Sequence, residues 1–174
     1  NGNRTETIGG LVGGSGHGVV ENGGAAGTAA VLNLANSTNA SFGGILRNDG
    51  SGDVTRSLAL HKSGSGTQRL AGSSLHTGPT TVTDGTLQID GLLPFSDLLV
   101  EANATLSGTG NIGSTAVING RHQPGNPAGR QNFTGSLTYG PAAHLVIALG
   151  SDSTAEGFFG AVTSSGTVSV QTGQ

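Results

Sequence analysis

Apolar residues along this chain alternate with polar ones over short runs, and glycine breaks each run before a helical repeat can form. Residues 29–34 (AAVLNL), 56–61 (RSLALH), 80–83 (TTVT) and 85–89 (GTLQI) put every second side chain on one face. That is the pattern of a strand with one buried side. Apolar positions seldom recur at three- and four-residue spacing, and a glycine inside such a segment costs a helix about 1 kcal/mol. The pattern predicts an all-β chain with almost no helix.

Turn signals separate the strands: Asn22-Gly23-Gly24, Asn48-Asp49-Gly50, Ser63 to Gly66, Asp84-Gly85 and Asn119-Gly120. Gly, Asn and Asp tolerate positive φ, so the chain is expected to turn at each of them. Asn-Gly and Asp-Gly also suit two-residue hairpins, which leaves an antiparallel sandwich or barrel open at this level. Repetition along the chain has to separate the two.

Residues 64–72 (GSGTQRLAG), 74–78 (SLHTG) and 80–88 (TTVTDGTLQ) follow in an order that resembles the autotransporter-associated β-strand repeat of bacterial passenger proteins. In that family GSGTLTLSG, NTYTGGTTV and a GTL strand succeed one another. Upstream, Ile8 to Leu11, the Gly13 to Gly18 run, Ala30 to Leu34 and Phe42 to Leu46 follow the order of the family's preceding rungs. Downstream, residues 104–113 (ATLSGTGNIG), 116–120 (AVING) and 123–129 (QPGNPAG) resemble its LSGTGTIGG, VTVNGTL and SPGNSPG blocks. The resemblance spans nearly the whole chain. It implies a right-handed parallel β-helix, a β-solenoid, exported to the bacterial cell surface or beyond.

The chain departs from the family at three places. Gln68-Arg69 stands for Leu-Thr, Ser74-Leu75-His76 for Asn-Thr-Tyr, and Arg121-His122 for Thr-Leu. The tail from Gly150 to Val170 resembles the family's terminal rung, in which Phe158 and Phe159 would plug or cap the core. Val168 and Val170 would then lie on a strand edge open to end-to-end assembly, since a solenoid end is an unpaired edge unless capped or continued.

Nothing in the composition divides the 174 residues, so residues 1–174 are expected to form one solenoid segment of a longer chain, with 150–174 as its terminal rung or cap. The 33 glycines and 33% hydrophobic content raise disorder as an alternative. Leu, Ile, Val and Phe nevertheless make up 40 of 174 residues, above the roughly 20% floor for folding chains, and net charge is only −3. A solenoid needs no more, because each rung shares its core with the next. Rungs of roughly 20 residues spaced about 4.8 Å apart would give about eight or nine rungs and a rod about 40 Å long.

With 10% charged residues, the chain lacks the Lys/Glu coat of a cytosolic domain, which favours an extracellular stalk. A pI near 5.9 offers no basic field for nucleic acid. The absence of cysteine excludes disulfides and thiolate metal sites. No apolar run approaches the roughly 18 residues of a membrane span, so no membrane insertion by this segment is expected.

Candidate chemistry is sparse. His17, His61, His76, His122 and His144 sit in five separate contexts without H-x-H or H-E-x-x-H spacing. They read as exposed rung-face residues, although stacking could align His61 with His76. Glycosidic chemistry needs two positioned carboxyls, for which Asp90, Asp97 and Glu101 are the candidates, while Asp49 and Asp84 precede glycine and read as turn formers. The Gly13 to Gly18 run lacks the acid of a calcium-binding nonapeptide and the G-K-[ST] of a phosphate loop. Thr81 and Thr83 make one Thr-x-Thr pair, too little for an ice-binding ladder, and the five N-x-[ST] triplets are what an Asn/Ser/Thr-rich chain contains by chance.

These observations point to a non-catalytic extracellular structural or adhesive scaffold with no catalytic residue, cofactor or metal. Its expected partners are copies of itself, through the solenoid ends, or glycans or proteins of a host or cell surface. A filament subunit stacking head to tail is the first alternative. The second is a polysaccharide-binding or -degrading β-helix, which requires a groove where Asp90, Asp97 and Glu101 converge.

Overall fold

A computed structural model describes residues 4–125, 129–147, 161–164 and 168–170, the last two segments by their backbone. The chain opens with β1 (Arg4–Ile8) and β2 (Val19–Glu21). Successive turns then supply β3 (Ala29–Ala35), β4 (Ala40–Phe42) and β5 (Ile45–Arg47), followed by β6 (Ser57–Ser63), β7 (Thr67–Leu70) and β8 (Ser73–Ser74). Next come β9 (Thr80–Val82), β10 (Gly85–Ile89) and β11 (Leu92–Leu93), then β12 (Leu98–Val100), β13 (Ala104–Gly108) and β14 (Asn111–Ile112). The last turns hold β15 (Ala116–Ile118), β16 (Arg121–Pro124), β17 (Arg130–Phe133), β18 (Leu137–Tyr139), β19 (His144–Leu145), β20 (Ala161–Ser164) and β21 (Val168–Val170).

From β3 onward every third strand joins the same sheet, giving sheets of eight, six and seven strands among the described residues. The first sheet runs β1-β3-β6-β9-β12-β15-β18-β21, the second β4-β7-β10-β13-β16-β19 and the third β2-β5-β8-β11-β14-β17-β20. Every strand pair is parallel. This is a β-solenoid, all-β and without helix among the described residues. Asp84-Gly85 therefore marks a corner between two sheets instead of a hairpin. Positive φ falls on glycine alone, as at Gly64 (78°) and Gly85 (66°) on adjacent rungs of that corner, and on no described Asn or Asp.

Because pairing is in register, inward side chains stack in columns. The first sheet contributes Leu32, Leu60, Thr80, Leu98, Ala116 and Leu137 in one column, and Leu34, Lys62, Val82, Val100, Ile118 and Tyr139 in the next. Leu46, Ser74, Leu93, Ile112 and Phe133 form the column of the third sheet. Each leucine shielded this way is stabilised by about 1.5–3 kcal/mol, so a few apolar residues per rung suffice. The rungs are most regular mid-chain, where Thr80, Leu98 and Ala116 follow at steps of 18 residues. Between Ala30 and Leu58 the step lengthens to 28, and the excess includes the turn at residues 48–56. Eight strands in the first sheet match the expected rung count.

The second and third sheets meet at a corner where backbones touch. A Cβ on Gly72, Gly91 or Gly110 would collide with the carbonyl oxygen of Gly44, Gly72 or Gly91 respectively. Glycine is required there by the close approach of successive rungs.

Candidate functional site

The three acids considered for catalysis stand at three successive corners. Asp90 follows β10, Asp97 precedes β12 and Glu101 follows β12. Asp90 accepts hydrogen bonds from Arg69 Nε (2.6 Å), Gln88 Nε2 (2.7 Å) and the Thr109 amide (3.0 Å). Burial works against its ionisation, but these donors outweigh it and hold the carboxyl below its ordinary range. Asp97 accepts from the Ser114 hydroxyl and from the Thr115 amide at 3.2 Å. No group of three His, Cys, Asp or Glu side chains with metal-binding geometry occurs among the described residues. Asp49 and Asp84 act as turn formers: Asp49 accepts from the amides of Ser51 and Asp53, and Asp84 from that of Gly85 at 2.8 Å.

The histidines divide differently from expectation. His17 and His144 are exposed and His61 is half-buried on the outer face, but His76 and His122 are wholly inside. His61 lies in register with Thr81 and does not meet His76. The strand alternation explains this. In Ser74-Leu75-His76 the first and third side chains face the core, and in Arg121-His122 the second does. The same rule puts Gln68 inward and Arg69 outward.

These inward polar residues went unrecognised in the sequence, and each has its own reason for tolerating burial. Gln68 Oε1 accepts from the Leu11 amide (2.9 Å) while its Nε2 donates to the Leu11 carbonyl (3.0 Å). The side chain thus pairs like a strand with a segment 57 residues away. Lys62, fully buried, donates from Nζ to the carbonyls of Ser63 (2.9 Å), Gly64 (2.7 Å) and Asp84 (3.3 Å). Desolvation lowers its pKa, and the charge of Asp84 partly opposes that.

The outer faces differ in how much of their polarity is already used. On the first sheet a hydrogen-bonded ladder runs from Thr7 through Asn33 and His61 to Thr83. The second sheet carries Thr67, Thr86 and Thr105 in one registered column, half-buried. No hydrogen bond is made by these three hydroxyls among the described residues, and Arg69, Gln88 and Ser107 form the parallel column beside them. The threonine column escapes a search for Thr-x-Thr pairs because its members are one 19-residue rung apart. That period, with Gly72, Gly91 and Gly110 in step, is the signal that finds it. Thr81 and Thr83, the pair visible in sequence, do not start a column: Leu99 lies in register with Thr81.

Of the proposed end contacts, Phe158 and Phe159 lie outside the described residues. Val168 and Val170 belong to β21, in register with Leu137 and Tyr139.

No curated protein and no solved structure matches the chain. Residues 60–89 match the family model of the passenger-associated-transport-repeat. In the structure this segment begins at Leu60 in β6, makes one full circuit of the three sheets and ends at Ile89 in β10. The stretch similar to the passenger-associated-transport-repeat therefore lies in the middle of the solenoid and spans about one of its turns.

Proposed function

We propose that this chain is a stretch of an autotransporter-type passenger, a rod held outside a bacterial cell that works as scaffold and contact surface instead of as an enzyme. The observation that carries this is the passenger-associated-transport-repeat at residues 60–89, whose register continues into the rungs before and after it. The family is one of structural repeats, and the candidate catalytic acids stand at separate corners, with Asp90 and Asp97 committed to structural donors. Low charge and the absence of cysteine are compatible with export.

The contact face best suited to an external partner is the second sheet. Its threonine column and the flanking Arg69 and Ser107 offer donors and acceptors at the rung spacing of about 4.8 Å, which fits hydroxyl-rich glycans. Two measurements test the two halves of the proposal. Protease treatment of intact producing cells should remove the chain without lysis, and full protection would overturn export. Purified protein on a panel of neutral and anionic glycans should bind in a manner weakened at least tenfold by Thr86→Val with Thr105→Val. Binding that ignores both changes would move the contact to another face.

A further inference from the structure

The two interior histidines sit in hydrogen-bond networks whose direction can be worked out donor by donor. Ser96 Oγ donates to the Gly78 carbonyl (2.7 Å), so it accepts from Thr80 Oγ1 (2.8 Å). Thr80 has then used its one proton and accepts from His76 Nε2 at 2.9 Å. His76 is the Nε2–H tautomer, and its bare Nδ1 is buried with no partner among the described residues. In the second network Gln131 Nε2 donates to the Ser107 carbonyl (3.2 Å), which turns Oε1 toward His122 Nε2 at 2.7 Å. His122 must donate there, so its Nδ1 accepts from the Tyr139 hydroxyl at 2.7 Å. The Phe133 ring meets His122 edge-on at 5.6 Å and the Tyr139 ring stacks on it at 5.8 Å, closing the pocket with aromatic surface.

Among the described residues no anion is placed to stabilise a second proton on either imidazole. On the turns around His76 the charged groups are Asp97, engaged by Ser114 and Thr115, and Asp49 and Asp53, both on Arg56 at 3.9 and 3.2 Å. Around His122 they are Arg121, in register with His144, and Arg130, all three exposed. Tyr139 is the remaining titratable neighbour among the described residues, and its burial pushes its pKa up to about 12, so it stays neutral.

We propose that His76 and His122 make the solenoid acid-responsive: a proton arriving at either Nδ1 leaves an unpaired charge in the core and loosens the rungs that bury it. Burial alone brings His76 down to about 4, and burial does the same for His122 although its hydrogen bond to Gln131 acts in the opposite direction. Both folded values lie below the ordinary 6.5, so the unfolded chain takes up protons first as pH falls. The stability held by the neutral imidazoles is complete above about pH 6.5 and is lost progressively toward pH 4. Each histidine should raise the unfolding constant about 100-fold between pH 7 and pH 4. This does not depend on where the rod is displayed.

Tyr139 is the one tyrosine and there is no tryptophan, so its near-ultraviolet signal reports the second network directly. Urea unfolding of the whole chain at pH 7 and at pH 4.5 should differ in wild type far more than in His76→Gln or His122→Gln, each recovering on the order of 50-fold of the difference. An acid-to-neutral difference unchanged in both variants would assign the response to carboxylates and overturn the proposal. Should a variant fail to fold, nitrogen-detected NMR of the wild-type imidazoles decides: Nε2–H tautomers that stay neutral to about pH 5 support it, and titration near 6.5 overturns it.

Discussion

At the scale of single residues, alternation decides which side chains face the core, and the contacts across rungs decide whether each is tolerated there. Gly91 has no room for a methyl group against the Gly72 carbonyl, so Gly91→Ala should cost about 1–3 kcal/mol through overpacking, read from denaturant midpoints. Gln68 holds Leu11 by both backbone groups, and Gln68→Leu would leave the half-buried Leu11 amide and carbonyl without these partners. Hydrogen exchange in that variant should lose protection around Leu11 while β10 and β13 keep theirs. The inward and outward faces of 29–34, 57–61 and 85–89 were legible in the sequence, since alternation is local. The roles of Gln68, Lys62, His76 and His122 were not, because a polar residue at an inward position looks like an error in the pattern until its partner, often a full rung or more away, is brought beside it.

At the scale of elements, each strand is only two to seven residues long, and those inside the stack are stable because they are paired on both sides. The corners between strands therefore carry much of the specification. Lys62 closes the corner between β6 and β7 by capping three carbonyls with one ammonium, which offsets the cost of burying its charge. Lys62→Met keeps the length of the side chain but leaves those oxygens without their donor. It is expected to lower stability by about 1–3 kcal/mol in urea titrations, with the loss concentrated in the exchange of β6, β7 and β9 amides. A neutral result would show that relief from desolvation matches the lost hydrogen bonds. Gly64 and Gly85, at the same corner, were legible as turn residues in the sequence. Their assignment to a parallel corner instead of a hairpin needed the order of repeated blocks, which local turn chemistry does not contain.

At the scale of the whole molecule, the two ends of the stack determine whether the rod stays single. Register places Arg4 and Glu6 of β1 on the same face as Leu58 and Leu60, the inward face, where other rungs carry leucine. They pair with each other at 3.2 Å and remain about two-thirds exposed, so the amino-terminal end of the described stack is charged where the interior is apolar. Docking a second solenoid on that end would strip water from both ions, and inward-pointing charge of this kind is a recognised guard against edge-to-edge pairing. Head-to-tail stacking of the 174-residue chain by itself through this end is therefore expected to be weak, and that chain should run as a monodisperse rod about 35 Å long, from eight described strands spaced about 4.8 Å apart. Replacing the pair with Arg4→Val and Glu6→Val would extend the apolar column of β3 and β6 to the surface. Concentration-dependent growth of that variant in light scattering, with the parent unchanged, is the expected outcome; fibres formed equally by both would place the assembly contact elsewhere and restore the filament as a working role.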